Sequence, residues 1–396
     1  MPHRGSGVRR PCGRPPYPRK LFLAIVEICR QIRSRIHELL PLPTSVCIQP
    51  IQLQALSESP LVSVLMANYN YAAFVADAIQ SVRGQTYSNW ELIVCDDGST
   101  DESVNKIEQL TKQDSRIRLI SKPNGGHASA LNAAYAACTG GVICLLDSDD
   151  LYLSEKIERV VESFRSHPDC GMVAHRVIRV DRKRRKQGTL PLMAALPEGW
   201  CAPQTLASGG ILGPLPPTSG LSLRREIADY IFPVPCERPL HYAPDQVIMR
   251  LAPLLTSLAR ITELLAEYRL HGNNSFETGR VTVASISRDI SVNAELWKVQ
   301  RRFLSRFMPA SAGMLTPFET SSYGLFLRYL KGKLSSDPDV RQYHRELVVD
   351  LKSRPETLLS RFWVASVYLP KFIFEASANL ILRQNKLKQL AAWLSA

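Results

Sequence analysis

The chain has 396 residues, of which 45% are hydrophobic, and it carries a formal net charge of +13. This length predicts one large domain with appendages or two domains, and the apolar fraction is sufficient for a sizeable core. The positive charge favours phosphate-rich partners such as nucleic acid, anionic lipid or a nucleotide diphosphate, but no nucleic-acid recognition motif accompanies the basic segments, so a nucleic-acid partner is not expected.

The nine cysteines form no CxxC pair, and several lie within apolar runs, as Cys95 and Cys144 do. Such cysteines are expected to be small core residues and not disulfide partners, which favours a reducing cytosol. The sequence has no apolar run of about 18 residues or more, and no small-residue cleavage site follows the basic N-terminus. We therefore expect a cytoplasmic protein without a transmembrane helix.

Residues 1–60 differ in composition from the rest of the chain. Pro, Gly and Arg dominate residues 1–19, apolar residues recur near helical spacing in 20–40, and four prolines fall within 41–60. These features predict a basic disordered tail, an amphipathic helix and a linker.

Apolar segments alternate with amphipathic helical segments between residues 61 and 180. The predicted strands are 61–69, 91–97, 117–122, 142–148 and 171–180. Strands that alternate with helices of this length indicate βαβ units. We therefore predict an α/β fold with a mostly parallel sheet flanked by helices.

From about residue 285 the sequence pattern is helical, and its last part, 357–396, combines large apolar side chains with Lys and Arg. Pro370, Lys371 and Glu375 argue against a membrane span in this part. Two interpretations stay open: a basic amphipathic segment that lies on a membrane surface, or a helical extension that packs on the protein. The termini are therefore candidates for peripheral membrane contact.

Acidic residues stand where two predicted strands end. Asp96 and Asp97 follow ELIVC, and the sequence DSDD follows VICLL. Because ligands of open parallel sheets bind beyond the carboxyl ends of the strands, both clusters should face one crevice, although Asp and Ser are also ordinary turn residues. Asp147 and Asp149 can offer oxygen ligands to Mg²⁺ or Mn²⁺, and such a metal would neutralise a diphosphate.

Neither a P-loop motif nor a GxGxxG motif follows the first strand, which argues against a P-loop fold and a dinucleotide-binding fold.

Four motifs occur in order and nearly without gaps: VSVLMANYN, AIQSVRGQTYSNWELIVCDDGSTD, KPNGGHASALNAA and GGVICLLDSDDLYL. Together they resemble the nucleotide-sugar-binding half of family 2 glycosyltransferases, which have a GT-A fold. The resemblance is close over about 61–180 and weaker over 218–276. The domains it implies are a donor half at 61–180 and an acceptor half at 181–280 of one GT-A domain at 61–280, preceded by the tail and linker at 1–60 and followed by a helical extension at 281–396.

The resemblance also implies roles for single residues. Asp97 matches the acid that reads uracil, Asp147 matches the residue that contacts the ribose, and Asp149 matches the metal-binding acid of the DxD motif. Ala67 and Tyr69 match the end of the first strand, which lines the base. The implied donor-binding residues are Ala67, Tyr69, Asp96, Asp97, Asn124, Gly125, Asn132, Asp147, Ser148 and Arg269, and the implied metal ligands are Asp149 and His271.

The family also requires a general base from its acceptor half, often in a Glu-Asp pair before a helix. Asp245 is the best match, with Pro244 in place of the Glu. A carboxylate can accept the proton of the acceptor hydroxyl as its oxygen attacks the sugar. A competing interpretation makes Asp245 the N-cap of a helix.

The segment AEYRLHGNNS resembles a YRxHxxN segment of the family. The resemblance implies that Arg269 contacts the diphosphate and that His271 is a third metal ligand.

The implied reaction is an inverting transfer of a sugar from a nucleotide-diphosphate donor, with UDP expected, to a hydroxyl of a carbohydrate or lipid-linked acceptor. Two other classes stay open. The substitution at Pro244 and the unusual termini motivate a scaffold that keeps the fold without turnover. A nucleotidyltransferase also places carboxylates at strand ends, but it would normally carry a Gly-rich, basic loop where this chain has MANYNYAAF.

Overall fold

The structure is a computed structural model that describes residues 48–190, 196–271, 281–352 and 358–382. The tail and amphipathic helix predicted within 1–40 lie outside the described residues, as do 41–47 of the linker. The described residues belong to one compact unit. The domain boundaries at residues 60, 180 and 280 stay predictions.

The described residues form a single sheet with the strand order β3-β2-β1-β4-β8-β6-β9-β5, and β7 pairs with β6 at its side. The strands are β1 (Val62–Asn68), β2 (Trp90–Asp96), β3 (Ile117–Ser121), β4 (Val142–Asp147), β5 (Leu151–Tyr152), β6 (Cys170–Asp181), β7 (Lys186–Leu190), β8 (Leu221–Arg224) and β9 (Ser257–Leu270).

Helices connect these strands and continue to the end of the described chain. They are α1 (Val75–Arg83), α2 (Ser103–Thr111), α3 (His127–Ala137), α4 (Lys156–Ser166), α5 (Ala202–Ala207), α6 (Arg225–Ile231), α7 (Pro244–Leu255), α8 (Val283–Phe307), α9 (Ser322–Ser335), α10 (Val340–Lys352), α11 (Leu358–Ala365) and α12 (Lys371–Leu382). Short 3₁₀ turns lie among them, including Thr218–Gly220.

The four strands β3, β2, β1 and β4 pair in parallel. Because both faces of such a sheet are covered, the strands consist of nearly continuous apolar residues. Leu65, Ile93 and Leu145 point into one core, while the neighbouring Val64 and Leu92 point into the other. The predicted α/β fold with flanking helices is confirmed, and so is the expectation that Cys95 and Cys144 are core residues.

The second half of the sheet is mixed in direction. β8 pairs antiparallel with both β4 and β6, whereas β6 and β9 pair in parallel over most of their length. The short strand β5 pairs antiparallel with β9. As a result, residues after position 218 return to the strand end that carries the DSDD sequence, although they are far from it along the chain.

The described residues after position 280 are mainly helical, as predicted. α8 packs on the core beside the sheet through Val292, Leu296 and Phe303. The helices that follow share a further core that contains Trp363 and Phe374. None of the described helices is both long and apolar enough to span a bilayer.

We expect Trp363→Ala to lower the free energy of unfolding by about 3–5 kcal/mol, because this fully buried side chain packs edge-on against Phe326 and its removal leaves a cavity. Tyr368→Ala is the control, since that side chain is 87% exposed, and we expect a change within about 0.5 kcal/mol. Urea denaturation followed by fluorescence and circular dichroism measures both. Equal losses in the two variants would contradict the packing described for this core.

Candidate active site

A cluster of carboxylates lies directly after β4. Asp147, Asp149 and Asp150 present oxygen atoms that are all within 4.8 Å of one another. A tight turn brings them together, in which the main-chain N–H of Asp150 donates to the carbonyl of Asp147 at 3.0 Å. Ser148 lies between them and is buried.

Contacts from distant parts of the chain fix this turn. Ser219, in the 3₁₀ turn before β8, donates its hydroxyl to Asp150 Oδ2 at 2.6 Å and accepts from the main-chain N–H of Asp147 at 3.2 Å. The main-chain N–H of Arg269 donates to Asp150 Oδ1 at 2.9 Å. Both oxygens of the fully buried Asp150 are therefore hydrogen-bonded. Asp147 and Asp149 are only partly buried, so they lie nearer the surface of the crevice.

The cluster concentrates negative charge in a partly dehydrated place. Burial, followed by repulsion from neighbouring carboxylates, raises the pKa of Asp147 and of Asp150 well above the usual range. The same carboxylates add to the effect of burial in raising the pKa of Tyr71. Closely spaced carboxylate oxygens under mutual repulsion are a ligand set that suits a hard divalent cation. The residues present therefore fit a metal such as Mg²⁺ or Mn²⁺.

His271 lies against this cluster, at the end of β9. Its Nε2 is 2.7 Å from Asp149 Oδ2. The ring stacks on Phe74 with centroids 5.2 Å apart and meets the edge of Tyr71 at 5.5 Å. Arg182 donates to the His271 carbonyl, which ties the end of β9 to the turn after β6. The two residues predicted as metal ligands, Asp149 and His271, are thus brought into direct contact.

Arg269 is also close to the cluster, but its side chain points elsewhere. The guanidinium is buried, lies 4.8 Å above the ring centroid of Phe74, and approaches Asp77 at 3.5 Å. Its main-chain N–H is the part that contacts Asp150. The predicted contact between this side chain and a diphosphate stays a prediction.

The second acidic pair, after β2, forms contacts within the protein. Asp96 is buried and accepts hydrogen bonds from Asn68 Nδ2 at 2.7 Å and from the Ser99 N–H and hydroxyl. Asp97 accepts from Lys122 Nζ at 2.6 Å and from the main-chain N–H groups of Gly125 and Gly126. Asp97 therefore holds the loop that precedes α3, a role that the sequence did not indicate.

The other predicted donor contacts differ in their surroundings. Ala67 lies beside Asp147 across the β1–β4 pairing, with its side chain half-buried, and Tyr69 is 45% exposed. Asn124 and Gly125 are exposed in the loop before α3. Asn132 instead exchanges two hydrogen bonds of 2.8 Å with the main chain of Val234. Its amide thus joins α3 to the segment before α7.

Asp245 lies in the first turn of α7 and is buried. Its charge is among the causes that raise the pKa of Asp147, so the two carboxylates are near enough to influence each other. The N-cap of α7 is Ala243, and no side chain caps this helix end. The competing interpretation of Asp245 as an N-cap is therefore wrong. Pro244 occupies the first turn, where its missing N–H costs nothing.

One side chain at the centre of the crevice was missing from the sequence-based site. His127 begins α3, and its Nε2 is 3.5 Å from Asp147 Oδ1. Removal from water lowers its pKa, while the charges of Asp245, Asp149 and Asp97 act in the opposite direction. His127 is therefore in contact with Asp147 and within electrostatic reach of those three aspartates. The signal that could have identified it is its position directly after NGG, in the loop that the resemblance assigns to the donor.

We expect Gly126→Ala to lower the free energy of unfolding by about 1–3 kcal/mol, because φ and ψ of 90° and 166° suit glycine almost alone. An added Cβ would also lie only 3.2 Å from His241. Gly141→Ala is the matched control, since its Cβ would meet nothing within 4 Å. Urea denaturation compares the two, and an equal loss in both would contradict the constraint at Gly126.

Comparison with known proteins agrees with this arrangement. Residues 63–228 match the model of glycosyl transferase family 2. An uncharacterized glycosyltransferase from Nostoc sp. is 36% identical over 219 residues, which are 54% of this chain and 66% of the relative. The Escherichia coli UDP-Glc:alpha-D-GlcNAc-diphosphoundecaprenol beta-1,3-glucosyltransferase WfgD is 42% identical over 99 residues, 25% of this chain and 38% of the relative.

Among solved structures, Staphylococcus aureus TarS in complex with UDP-GlcNAc aligns over 84% of this chain and 90% of that one, with 15% identity and a TM-score of 0.46. The sequence matches to the curated relatives span only part of each relative's length. Apart from Val62, the motifs quoted above lie within the matched residues, and the match extends past them to residue 228. Residues 63–228 therefore form a domain of glycosyl transferase family 2.

Proposed function

We propose that this protein is a metal-dependent glycosyltransferase that transfers a sugar from a nucleotide-diphosphate donor to an acceptor hydroxyl. One observation carries the proposal: Asp147, Asp149 and Asp150 converge within 4.8 Å at the end of β4. Asp245 from the acceptor half contributes charge to the same crevice. Family membership supports the assignment because the DSDD sequence lies within the matched residues.

The donor would lie across the carboxyl ends of β1, β2 and β4. Ala67 is small and half-buried next to Asp147, which leaves room for a base and ribose there. Asp97 holds the loop with Gly125 and Gly126, and a base would sit against that loop. The UDP form of the donor is supported by the resemblance and by the name of the E. coli relative, which specifies UDP-Glc.

Asp149 and His271 would hold the metal, either Mg²⁺ or Mn²⁺. Their side chains already meet at 2.7 Å, and Asp147 and Asp150 add further oxygen atoms nearby. When bound, such a cation neutralises the charge that develops on a departing nucleoside diphosphate. Ser219 and the Arg269 N–H engage both oxygens of Asp150, so this residue supports the turn more than it faces a ligand.

Asp245 would act as the general base. Its side chain is buried in the first turn of α7. The ionised form is the one that accepts the acceptor's hydroxyl proton. Attack by that oxygen on the anomeric carbon, opposite the departing diphosphate, inverts the configuration of the sugar. Holding both substrates in line supplies much of the rate gain.

The acceptor is proposed to be a carbohydrate, with a lipid-linked one favoured. The E. coli relative is named for transfer to a diphosphoundecaprenol-linked sugar. The described part of the C-terminal segment also exposes Tyr368 and Phe372, which is consistent with peripheral membrane contact through the termini. The other candidate is a scaffold that binds a nucleotide sugar without turnover, which Pro244 in place of a Glu motivates.

Asp149→Asn is expected to reduce transfer by about 100-fold or more, because it removes a charged metal ligand and the partner of His271. The measurement is release of nucleoside diphosphate from UDP-sugars in the presence of Mn²⁺. Isothermal titration of Mn²⁺ with UDP present gives a readout independent of turnover and should show weaker binding. Asp169→Asn, at an exposed position on the same domain, should behave as wild type. Unchanged metal affinity in Asp149→Asn would contradict the assignment.

Asp245→Asn should reduce kcat by about 100-fold to 10,000-fold, the usual contribution of a general base, with little change in donor affinity. Glu237→Gln, in the exposed segment before α7, is the matched control and should retain activity. Before these assays, the donor is identified by a thermal-shift screen of UDP-sugars with Mn²⁺. A ligand that binds the native protein raises the stability of that protein. Donor binding without turnover in wild type, over a broad acceptor panel, would favour the scaffold.

A further inference from the structure

Helix α8 has two faces of opposite character. One face is buried and includes Leu296, Val299 and Phe303. On the same side, the Gln300 amide donates 2.9 Å hydrogen bonds to the carbonyls of Gly210 and Arg250. These contacts fix the rotation of the helix about its axis, so the opposite face is directed outward.

The outward face is strongly basic. Lys298, Arg301, Arg302 and Arg306 are all exposed, at spacings that place them along one side of the helix. Within the described residues, Glu295 forms the one ion pair on this face, with Lys298 at 2.7 Å. The three arginines have no ion pair with a described acidic residue. We call these four cations the α8 basic face.

Aromatic side chains accompany the cations. Arg306 lies 4.9 Å from the ring centroid of Phe307, and Phe307 is 40% exposed. Tyr230, from α6, meets the edge of Phe307 at 5.5 Å and is 41% exposed. Partly exposed aromatic rings beside unpaired cations are the combination that suits a bilayer interface, where rings sit at headgroup level and cations meet lipid phosphates.

We propose that the α8 basic face docks the protein on an anionic bilayer surface. Charge complementarity identifies the partner, because the described neighbours leave the three arginines without counter-charges. Phe307 and Tyr230 meet edge to face and Arg306 lies over the Phe307 ring. The ring faces are thus partly covered, which favours a bilayer interface over the base stacking typical of single-stranded nucleic acid sites. The proposal does not depend on the proposed catalytic function.

The size of the effect can be estimated from the charge. Each Lys or Arg close to an anionic leaflet strengthens binding roughly fivefold. Neutralising Arg301 and Arg302 would thus weaken binding about 25-fold, and reversing their charges would weaken it further. The attraction between exposed charges is also screened by salt, so binding should fall as ionic strength rises.

The test is co-sedimentation of the full chain with vesicles of phosphatidylcholine containing about one third phosphatidylglycerol, compared with phosphatidylcholine alone. We expect wild type to bind the anionic vesicles, and Arg301→Glu with Arg302→Glu to bind at least 25-fold more weakly. The matched control is Lys112→Glu with Arg165→Glu, which reverses the same number of charges at exposed positions elsewhere and should bind like wild type. Urea denaturation confirms that all variants fold.

Four outcomes would overturn the proposal. The first is that wild type is not recovered with anionic vesicles at low salt. The second is that both double variants lose binding equally, which would indicate an effect of net charge alone. Tyr368→Ser with Phe372→Ser could abolish binding that Arg301→Glu with Arg302→Glu retains, which would assign the contact to the C-terminal segment. Tighter binding of RNA than of vesicles, lost with the same arginines, would make the face a nucleic-acid site.

Discussion

Three carboxylates held close together at the end of one buried strand create the electrostatic constraint on which the site depends. Their repulsion and dehydration raise the pKa values of Asp147 and Asp150. Ser219 and the Arg269 main chain offset part of that cost by engaging Asp150, and the His271 ring meets Asp149. A divalent cation bound at these carboxylates would offset more of that cost.

This constraint explains the path of the chain through the second half of the sheet. β8 inserts beside β4 and carries Ser219 on its preceding turn, while β9 runs the length of β6 and ends at the carboxylates. Each strand therefore delivers contacts to the same turn. The first turns of α7 and α3 contribute Asp245 and His127, so the residues of the proposed site come from different parts of the fold.

The helices after residue 280 are anchored to this core and not attached to it loosely. α8 shares its buried face with the core on one side of the sheet, and Gln300 links it to the carbonyls of Gly210 and Arg250. Because these contacts fix its orientation, α8 presents its charged face in a defined direction relative to the sheet. The proposed membrane contact and the proposed sugar transfer would thus involve separate surfaces of one packed body.

The sequence alone determined where the first strands and helices lie, because apolar runs, helical spacing and turn residues are local signals. It also identified the DSDD sequence and the family, since the motifs are contiguous. Only the tertiary structure decided which polar groups are free for a ligand. Asp97 and Asn132 form hydrogen bonds within the protein, Asp150 is closed off by Ser219, and His127 enters the crevice. The partners in these contacts are tens of residues apart, and strand order, which local patterns do not encode, brings them together.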